Sequence, residues 1–293
     1  MSIPDQSDAA SGNGRLRRGA VLGKLRWGFC SDPGPVREHN EDYAGAFAPT
    51  TPDDAWDRGP LFVVADGMGG HAAGEVASRL AVERLIGSYR DGTPAPPHQA
   101  MRHAMRAANE AVLGAAMEPG RRGMGTTRAA VALQGTEVVA AHVGDSRAYL
   151  VHGDSCTQLT TDHSRVAEML RMKLLTPEQA ATHPARSQLT RSIGSDPFVK
   201  VDVARHPLTR DDVLVLCSDG LWDTVGRQDL IELSAMLVRN ELPTSVDCAE
   251  ALVRLAIDRR SSDNVTAVVV HVTSDAGIPP TASKRTRFRR GRA

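Results

Sequence analysis

Apolar residues along this chain fall into short runs with two different spacings. Runs near residues 25–30, 43–48 and 60–65 have the length and composition of β-strands, and they precede any run at helical spacing. Three further strand-like runs follow closely on one another: Thr127–Leu133, Glu137–Val143 and Arg147–Val151. Because tight turns link these runs, they are typical of antiparallel strands in a meander.

Apolar positions at helical spacing occur in two blocks, one before and one after this meander. The first block contains Val76, Leu80 and Leu85 on one helix and Met101, Met105, Ala108 and Val112 on the next; the second contains helices at about 227–238 and 245–258. Strands that come in runs argue against a doubly wound parallel sheet. We therefore predict an α+β fold, a four-layer α-β-β-α sandwich of two mainly antiparallel sheets flanked by helices.

The length of 293 residues and the hydrophobic content of 41% are compatible with one large domain. Residues 1–20 are rich in small and polar side chains without periodicity, which predicts a disordered arm. Residues 275–293 predict a similar tail, strongly basic from Lys284 to Arg292. One folded domain is therefore expected over residues 21–274.

Charge and composition exclude several kinds of function. The formal net charge is zero, so no global field attracts the protein to nucleic acid or membrane, and the basic tail is more typical of a solvated end. The four cysteines form no C-x-x-C pair, and Cys30 and Cys217 lie in apolar runs, as expected in a reducing cytosol. No apolar stretch reaches the roughly 18 residues that span a bilayer. These features predict a cytoplasmic protein without a membrane span.

Acidic residues stand at the ends of several predicted strands. Asp66 and Asp219 each follow an apolar run, Asp263 precedes the last strand, and the pair Glu41-Asp42 precedes another. Carboxylates gathered at strand ends repel one another and lose hydration, a cost that cations normally offset. Because the candidate ligands are oxygen atoms, Mg²⁺ or Mn²⁺ is expected rather than Zn²⁺.

A series of short motifs in one order resembles a known protein family. The motifs are Asp32-x-Gly34-x-x-Arg37-x-x-Asn40-Glu41-Asp42, Ala65-Asp66-Gly67-Met68-Gly69-Gly70, Gly125-Thr126-Thr127, Val143-Gly144-Asp145-Ser146-Arg147, Leu159-Thr160-x-Asp162-His163-Ser164, Leu216-Cys217-Ser218-Asp219-Gly220-Leu221 and Asp263-Asn264-x-Thr266. Over roughly residues 25–272 the chain resembles the metal-dependent serine/threonine protein phosphatases of the type 2C class, the PPM family, in their bacterial form. That family has the predicted sandwich, with a metal site at one end of the two sheets.

The resemblance implies a set of metal ligands. Asp66 resembles the carboxylate that bridges two ions, with the Gly67 carbonyl as a further ligand. Asp219 and Asp263 match the remaining direct ligands of one ion. Two Mn²⁺ or Mg²⁺ ions held in this way can deprotonate a bridging water and clamp a phosphoryl oxygen, as in-line hydrolysis of a phosphoester requires.

The family also implies roles for residues around these ligands. Glu41 and Asp42 match residues that hold the metal site, partly through water. Arg37 matches the phosphate-binding arginine, whose planar fork can meet two phosphoryl oxygens. Asp145 matches the aspartate that, with Asp219, can hold a third and weaker ion.

One family feature is missing from this sequence. Eukaryotic members place the histidine that protonates the leaving group directly after Asp-Gly, where this chain has Met68. His71 or a water on a third ion remain as alternative proton donors. His39 and His163 lie in motifs but match no ligand and are predicted to be structural. Residues 165–190 resemble the flap beside the active site of bacterial members, which bears on substrate choice, although an inert excursion is the alternative.

The resemblance implies an enzyme that hydrolyses phosphoserine and phosphothreonine in proteins and reverses serine/threonine kinase signalling. Its expected partners are phosphorylated proteins, substrates of a bacterial serine/threonine kinase, with the kinase itself as a candidate. One alternative is a phosphatase of a phosphorylated transcription regulator, although such branches usually carry sensory modules. Another is a catalytically silent phosphoprotein-binding scaffold, although silent relatives lose carboxylates that Asp66, Asp219 and Asp263 retain. Binding of nucleic acid through the basic tail is the least favoured.

Overall fold

The computed structural model describes residues 10–11, 15–22, 25–49, 59–69, 73–93 and 95–273. The strands are β1 (Ala10–Ser11), β2 (Arg15–Leu22), β3 (Leu25–Asp32), β4 (Asp42–Phe47), β5 (Leu61–Met68), β6 (Gly125–Thr126), β7 (Arg128–Gln134), β8 (Glu137–Val143), β9 (Arg147–His152), β10 (Ser155–Gln158), β11 (Asp202–Pro207), β12 (Val213–Cys217) and β13 (Val265–Val272). The helices are α1 (Ala73–Asp91), α2 (Pro97–Ala116), α3 (Arg165–Arg171), α4 (Pro177–Ala181), α5 (Asp219–Trp222), α6 (Arg227–Val238) and α7 (Ser245–Asp258).

The strands form two antiparallel sheets that pack face to face. Sheet A has the order β1-β2-β3-β13-β12-β9-β10, and sheet B has the order β11-β8-β7-β5-β4, with β6 paired to the end of β5. Apolar side chains from both sheets fill the space between them, among them Trp27 and Phe62, whose ring centroids lie 5.7 Å apart. Removal of this apolar surface from water is the main force that holds the sheets together.

Helices cover the outer faces of both sheets, so the predicted four-layer α-β-β-α sandwich is confirmed. Helices α1 and α2 pack on sheet B, and α6 and α7 pack on sheet A. Within α1, Leu85 is fully buried, but Val76 and Leu80 are only partly buried, because Ala77 and Ala81 occupy the positions closest to its neighbours. None of the helices in the described ranges is long and apolar enough to cross a membrane.

The expectation of a disordered arm over residues 1–20 is wrong for its C-terminal part. Arg15–Leu22 form β2, which pairs with β3 along its length. Ion pairs of Arg15 with Asp32 and Glu250 add to the main-chain bonds. The polar composition of this segment therefore does not exclude a β-strand, because most side chains of β2 remain in contact with water. The other residues of the arm, except the short strand β1, and the tail over 275–293 lie outside the described residues.

The segment predicted as a flap, residues 165–190, contains α3 and α4 and has a small apolar cluster of its own. A bridge between Ser164 and Leu189 joins its two ends, so the segment is a closed excursion from the sandwich. Pro177 lies in the first turn of α4, directly after the capping residue Thr176. A proline costs no hydrogen bond at this position, because the backbone N–H groups of the first turn have no acceptor within the helix.

The charged side chain of Arg128 lies inside the fold, and no nitrogen or oxygen atom of another described residue bonds to it. Arg128 on β7 is fully buried, and its Nη1 contacts Met105 Sδ of α2 at 3.6 Å. Its Nε and Nη2 atoms have no hydrogen-bond partner among the described residues. Burial lowers the pKa of Arg128 to about 9.

Candidate metal and phosphate site

The ends of the two sheets meet at a cavity of about 700 Å³. Most of the site residues predicted from the sequence line it, namely Arg37, Glu41, Asp66, Gly67, Asp145, Asp219 and Asp263. Asp66 lies near the end of a strand of sheet B, Asp219 and Asp263 flank strands of sheet A, and Asp145 lies on the turn from β8 to β9 that joins the sheets. The fold thus brings together residues that are almost 200 positions apart, as Asp66 and Asp263 show.

Hydroxyl groups from a neighbouring turn fix the backbone of Asp66. Thr126 Oγ1 donates to the Asp66 carbonyl at 2.8 Å, and Thr127 N donates to the same oxygen at 2.8 Å. Thr127 Oγ1 in turn accepts from Asp66 N at 3.2 Å. These bonds occupy the main chain and leave the carboxylate of Asp66 available to the cavity.

Gly67 occupies a place where no other residue fits. A Cβ at Gly67 would lie 2.1 Å from the Gly74 carbonyl oxygen and 2.7 Å from the Glu41 carbonyl oxygen. Gly74, in the first turn of α1, is confined by a side chain instead, since its Cβ would lie 2.6 Å from Cδ of Glu41. The two glycines let β5, α1 and Glu41 approach closely. No local pattern in the sequence indicates this role of Gly74, because its contact is to a residue far away in the chain.

Asp42 does not line the cavity but is buried behind it. Its backbone pairs in register with Asp66, and its Oδ2 accepts a hydrogen bond of 2.6 Å from Ser218 Oγ. Its Oδ1 has no partner among the described residues. Burial raises the pKa of Asp42 to about 7, although the bond from Ser218 opposes the rise. A buried carboxylate oxygen without a donor calls for a cation or an ordered water nearby.

The carboxylates of the cavity share an unfavourable electrostatic environment. Burial raises the pKa of Asp66 well above its ordinary value, and the charge of Asp219 raises it further. Burial and neighbouring carboxylates raise the pKa of Asp219 to about 6 and that of Asp145 to about 7. A positive charge inside the cavity would reverse these shifts. The all-oxygen donor set and the orphaned oxygen of Asp42 therefore fit hard divalent cations.

Arg37 lies at the mouth of the cavity with about half of its side chain exposed, and its Nη2 is 2.7 Å from Asp263 Oδ2. Asn264 holds the loop that carries it, because its side chain accepts from Glu41 N at 2.8 Å and donates to the His39 carbonyl at 2.8 Å. Gly34 in this loop has a φ of +75°, and a Cβ there would lie 2.3 Å from the Asp263 carbonyl oxygen. The loop is therefore fixed against the residues that precede β13.

Hydrogen bonds with His163 and Trp222 hold the turn that carries Asp145. His163 Nδ1 accepts from Gly144 N at 3.2 Å, and His163 N donates to the Gly144 carbonyl at 2.9 Å. From the other side, Trp222 Nε1 donates to the Asp145 carbonyl at 3.0 Å. Because His163 Nδ1 accepts, its Nε2 carries the proton and donates to Asp202 Oδ2 at 3.1 Å. His163 thus has the structural role predicted from the sequence.

His142, His163 and Asp202 form a cluster of potential metal ligands outside the cavity. The two rings are stacked, with centroids 4.7 Å apart and planes 18° apart, so their in-plane lone pairs do not converge on one point. Arg191 already supplies positive charge, since its Nη1 is 3.2 Å from Asp202 Oδ1. The cluster is best explained as a support for the Asp145 turn.

Met68 lines the cavity at the position where eukaryotic members of the family that the sequence resembles have a proton-donating histidine. Its thioether carries no proton to donate. His71, one of the alternatives from the sequence, lies outside the described residues.

A second groove of about 520 Å³ adjoins the cavity and runs beneath the flap. Asp145, Asp219 and Asp263 border both spaces, and Ser187 of the flap does so as well. The flap therefore forms a wall of the groove that leads away from the carboxylates.

Comparison with known proteins identifies the family. The family model described as Protein phosphatase 2C matches residues 37–265. The chain belongs to the protein phosphatase 2C family. It is 36% identical to the serine/threonine phosphatase Stp of Listeria innocua over 247 residues, which are 83% of this chain and 94% of that protein. As a member of this family, the protein is a serine/threonine protein phosphatase, and the family is metal-dependent.

Solved structures of protein phosphatase 2C enzymes share the fold. Stp1 from Staphylococcus aureus is similar with a TM-score of 0.75 and 35% identity, over 87% of this chain and 97% of that one. The catalytic domain of PstP, solved with two manganese ions, is similar with a TM-score of 0.72 and 34% identity, over 85% of this chain and 99% of that one.

Proposed function

We propose that this phosphatase hydrolyses phosphoserine and phosphothreonine residues of other proteins, with the 700 Å³ cavity as its active site. The observation that supports this most is the gathering of Asp42, Asp66, Asp145 and Asp219, whose pKa values burial raises. Carboxylates so placed destabilise the fold unless divalent cations bind to them. The cluster is therefore a binding site for the metal ions that phosphoester hydrolysis uses.

Two ions, Mn²⁺ or Mg²⁺, would be held by the carboxylate of Asp66, the carbonyl of Gly67 and the carboxylates of Asp219 and Asp263. Glu41 and Asp42 would support them, partly through water. The ions supply, when bound, the charge that activates the attacking water and neutralises the phosphoryl oxygens. Manganese in the PstP structure supports this choice for a related chain.

Arg37 would bind the phosphoryl group of the substrate. Its guanidinium lies beside Asp263 at the open mouth of the cavity, so a phosphoryl oxygen can replace the carboxylate as a partner without movement of the loop. The planar fork of arginine suits two oxygens of a phosphoryl group.

Asp145 would, together with Asp219, hold a third and weaker ion. The serine or threonine oxygen that leaves must gain a proton, and Met68 has none to give. In this proposal protonation of the leaving group depends on Asp145, whose turn His163 and Trp222 keep in place.

The proposed substrates are proteins phosphorylated by a bacterial serine/threonine kinase in the cytoplasm, including the kinase itself. Hydrolysis of a phosphothreonine peptide and of p-nitrophenyl phosphate, measured with Mn²⁺, Mg²⁺ or EDTA, tests the proposal. Both substrates should be hydrolysed with either metal and with neither in EDTA. Binding of the phosphopeptide without hydrolysis under any condition would favour the scaffold instead.

A further inference from the structure

Strand β11 forms an edge of sheet B, and only one of its sides is paired. Its register with β8 runs from Asp202 opposite His142 to Pro207 opposite Glu137. No strand among the described residues pairs with its other side. Unpaired N–H and C=O groups along a strand edge can accept a further strand from another chain.

A groove of about 450 Å³ follows this open edge. On the outer side of the sheet, Arg102 and Arg106 of α2 line it. On the inner side, His142 and Leu159 line it, and residues 199–204 run between the two sides. The groove therefore wraps around the edge strand, where an added strand would lie.

The charges that line the groove favour an acidic ligand. Arg102, Arg106 and Lys200 are exposed, and none of them forms an ion pair with another described residue. The acidic residue of the lining, Asp202, is already bonded to Arg191 and His163. Cations that are close together and unpaired raise the local concentration of anionic partners.

An exposed aromatic residue lies at the start of the groove. Phe198 is 92% exposed and directly precedes the residues that line the groove. Its backbone N–H donates to Asp196 Oδ1 at 2.8 Å, which orders the turn that presents it. A solvent-exposed aromatic ring is a typical anchor for a partner protein.

We propose that this groove is a docking surface for an extended acidic segment of a partner protein, which adds to sheet B as a strand beside β11. The backbone of the segment pairs with the open edge, its carboxylates face Arg102, Arg106 and Lys200, and an apolar residue packs on Phe198. The surface is separate from the catalytic cavity and shares none of its lining residues.

Fluorescence anisotropy of a labelled peptide of alternating glutamate and valine, about ten residues long, tests the proposal at low ionic strength. The double variant Arg102→Glu/Arg106→Glu should bind it about tenfold more weakly than the wild-type protein. The double variant Arg79→Glu/Arg84→Glu, which reverses exposed arginines of α1, should bind it like the wild-type protein. All three proteins should hydrolyse p-nitrophenyl phosphate equally, because neither pair belongs to the cavity.

Three results would overturn the proposal. The first is absent binding to the wild-type protein, or binding that both double variants weaken equally. The second is equal binding of a peptide whose alternate backbone nitrogens are methylated, since such a peptide cannot pair as a strand. The third is tighter, Arg102-dependent binding of single-stranded DNA, which would make the groove a nucleic-acid site.

Discussion

Arg186 of the flap forms an ion pair with Asp223 at the end of α5, with 3.1 Å between Nη2 and Oδ2. The pair spans the groove beneath the flap, and both residues line it. Because both side chains are partly exposed, the pair contributes only on the order of 0.2–1 kcal/mol. An interaction of this strength can hold the flap near the core and still let it move.

Arg186→Ala should therefore alter the hydrolysis of phosphopeptides and spare that of p-nitrophenyl phosphate. The kcat/KM for a phosphothreonine peptide should fall by up to about fivefold, mainly through KM, since the wall of the groove loses its tether. Arg121→Ala, which removes a comparable ion pair with Glu118 outside the flap, is the control. Equal effects of Arg186→Ala on both substrates would argue against a role in binding the protein part of the substrate.

Asp66→Asn should abolish turnover and stabilise the fold in the absence of metal. The substitution keeps the shape of the side chain and removes a buried charge that neighbouring carboxylates repel. The melting temperature in EDTA should rise above that of the wild-type protein, whereas Asp258→Asn on the exposed end of α7 should change neither property. More than a tenth of wild-type activity at saturating Mn²⁺ would contradict the assignment of Asp66 as a metal ligand.

The variant Asp66→Asn also tests how the carboxylate cluster makes the stability of the fold depend on pH. Folding raises the pKa of Asp219 to about 6 and of Asp42 to about 7 from ordinary values near 4. The folded state thus binds more protons than the unfolded state in this window, so the contribution of these two groups to stability in EDTA becomes less favourable as the pH rises from about 4 towards 7. The difference in melting temperature between Asp66→Asn and the wild-type protein should grow from about pH 5 to about pH 7. Mn²⁺ should reverse its sign, because the variant lacks a metal ligand that the wild-type protein has.

Arg37→Ala should raise KM more than it lowers kcat. Loss of a charge-assisted hydrogen bond costs about 1.5–3 kcal/mol, or roughly 10- to 100-fold in kcat/KM. Inhibition by inorganic phosphate should weaken in parallel, whereas Arg79→Ala on the surface of α1 should leave both properties unchanged. Unaltered phosphate inhibition in Arg37→Ala would show that the phosphoryl group binds elsewhere.

Asp145→Ala should slow phosphopeptides more than p-nitrophenyl phosphate. A serine or threonine alkoxide is a poor leaving group and needs a proton, whereas p-nitrophenolate leaves with little assistance. Calorimetry should show that tight metal binding persists, because Asp145 lies on a turn apart from Asp66 and Asp263. Equal slowing of both substrates, or loss of tight metal binding, would make Asp145 a support of the main metal site.

Arg128→Met should stabilise the protein. Methionine fills a similar space beside Met105 without a buried charge that lacks a partner, and such replacements often gain about 1–4 kcal/mol. Arg84→Met on the exposed face of α1 controls for loss of a surface charge. A lower melting temperature for Arg128→Met would reveal that ordered water or an anion satisfies the guanidinium.

Much of the fold could be predicted because its patterns are local. The strand that contains Asp66 and the helix that contains Met101 and Met105 follow from apolar spacing over a few residues. The strand β2 could not be predicted, because its sequence lacks apolar alternation and its pairing with β3 involves the main chain. The sequence does not indicate that Arg128 is buried, since the guanidinium group of a single arginine at the start of a strand usually reaches water.

The supports of the site were harder to predict than the candidate ligands. Asn264 bonds to Glu41 and His39, more than 220 positions earlier, and no local pattern encodes such a pairing. The packing of Gly74 against Glu41 is of the same kind. The motifs predict which residues carry the chemistry, while the contacts that hold these residues depend on how the two sheets meet.

The carboxylates around the cavity are positioned by both sheets, since Asp66 lies on a strand of sheet B and Asp219 closely follows a strand of sheet A. The distance between these carboxylates is therefore set by the thickness of the apolar layer that contains Trp27 and Phe62. The core thus acts as a spacer for the proposed metal site at its end. Changes of side-chain volume deep in the sandwich, far from any ligand, are thus a route by which such an enzyme can be tuned from one metal ion to another.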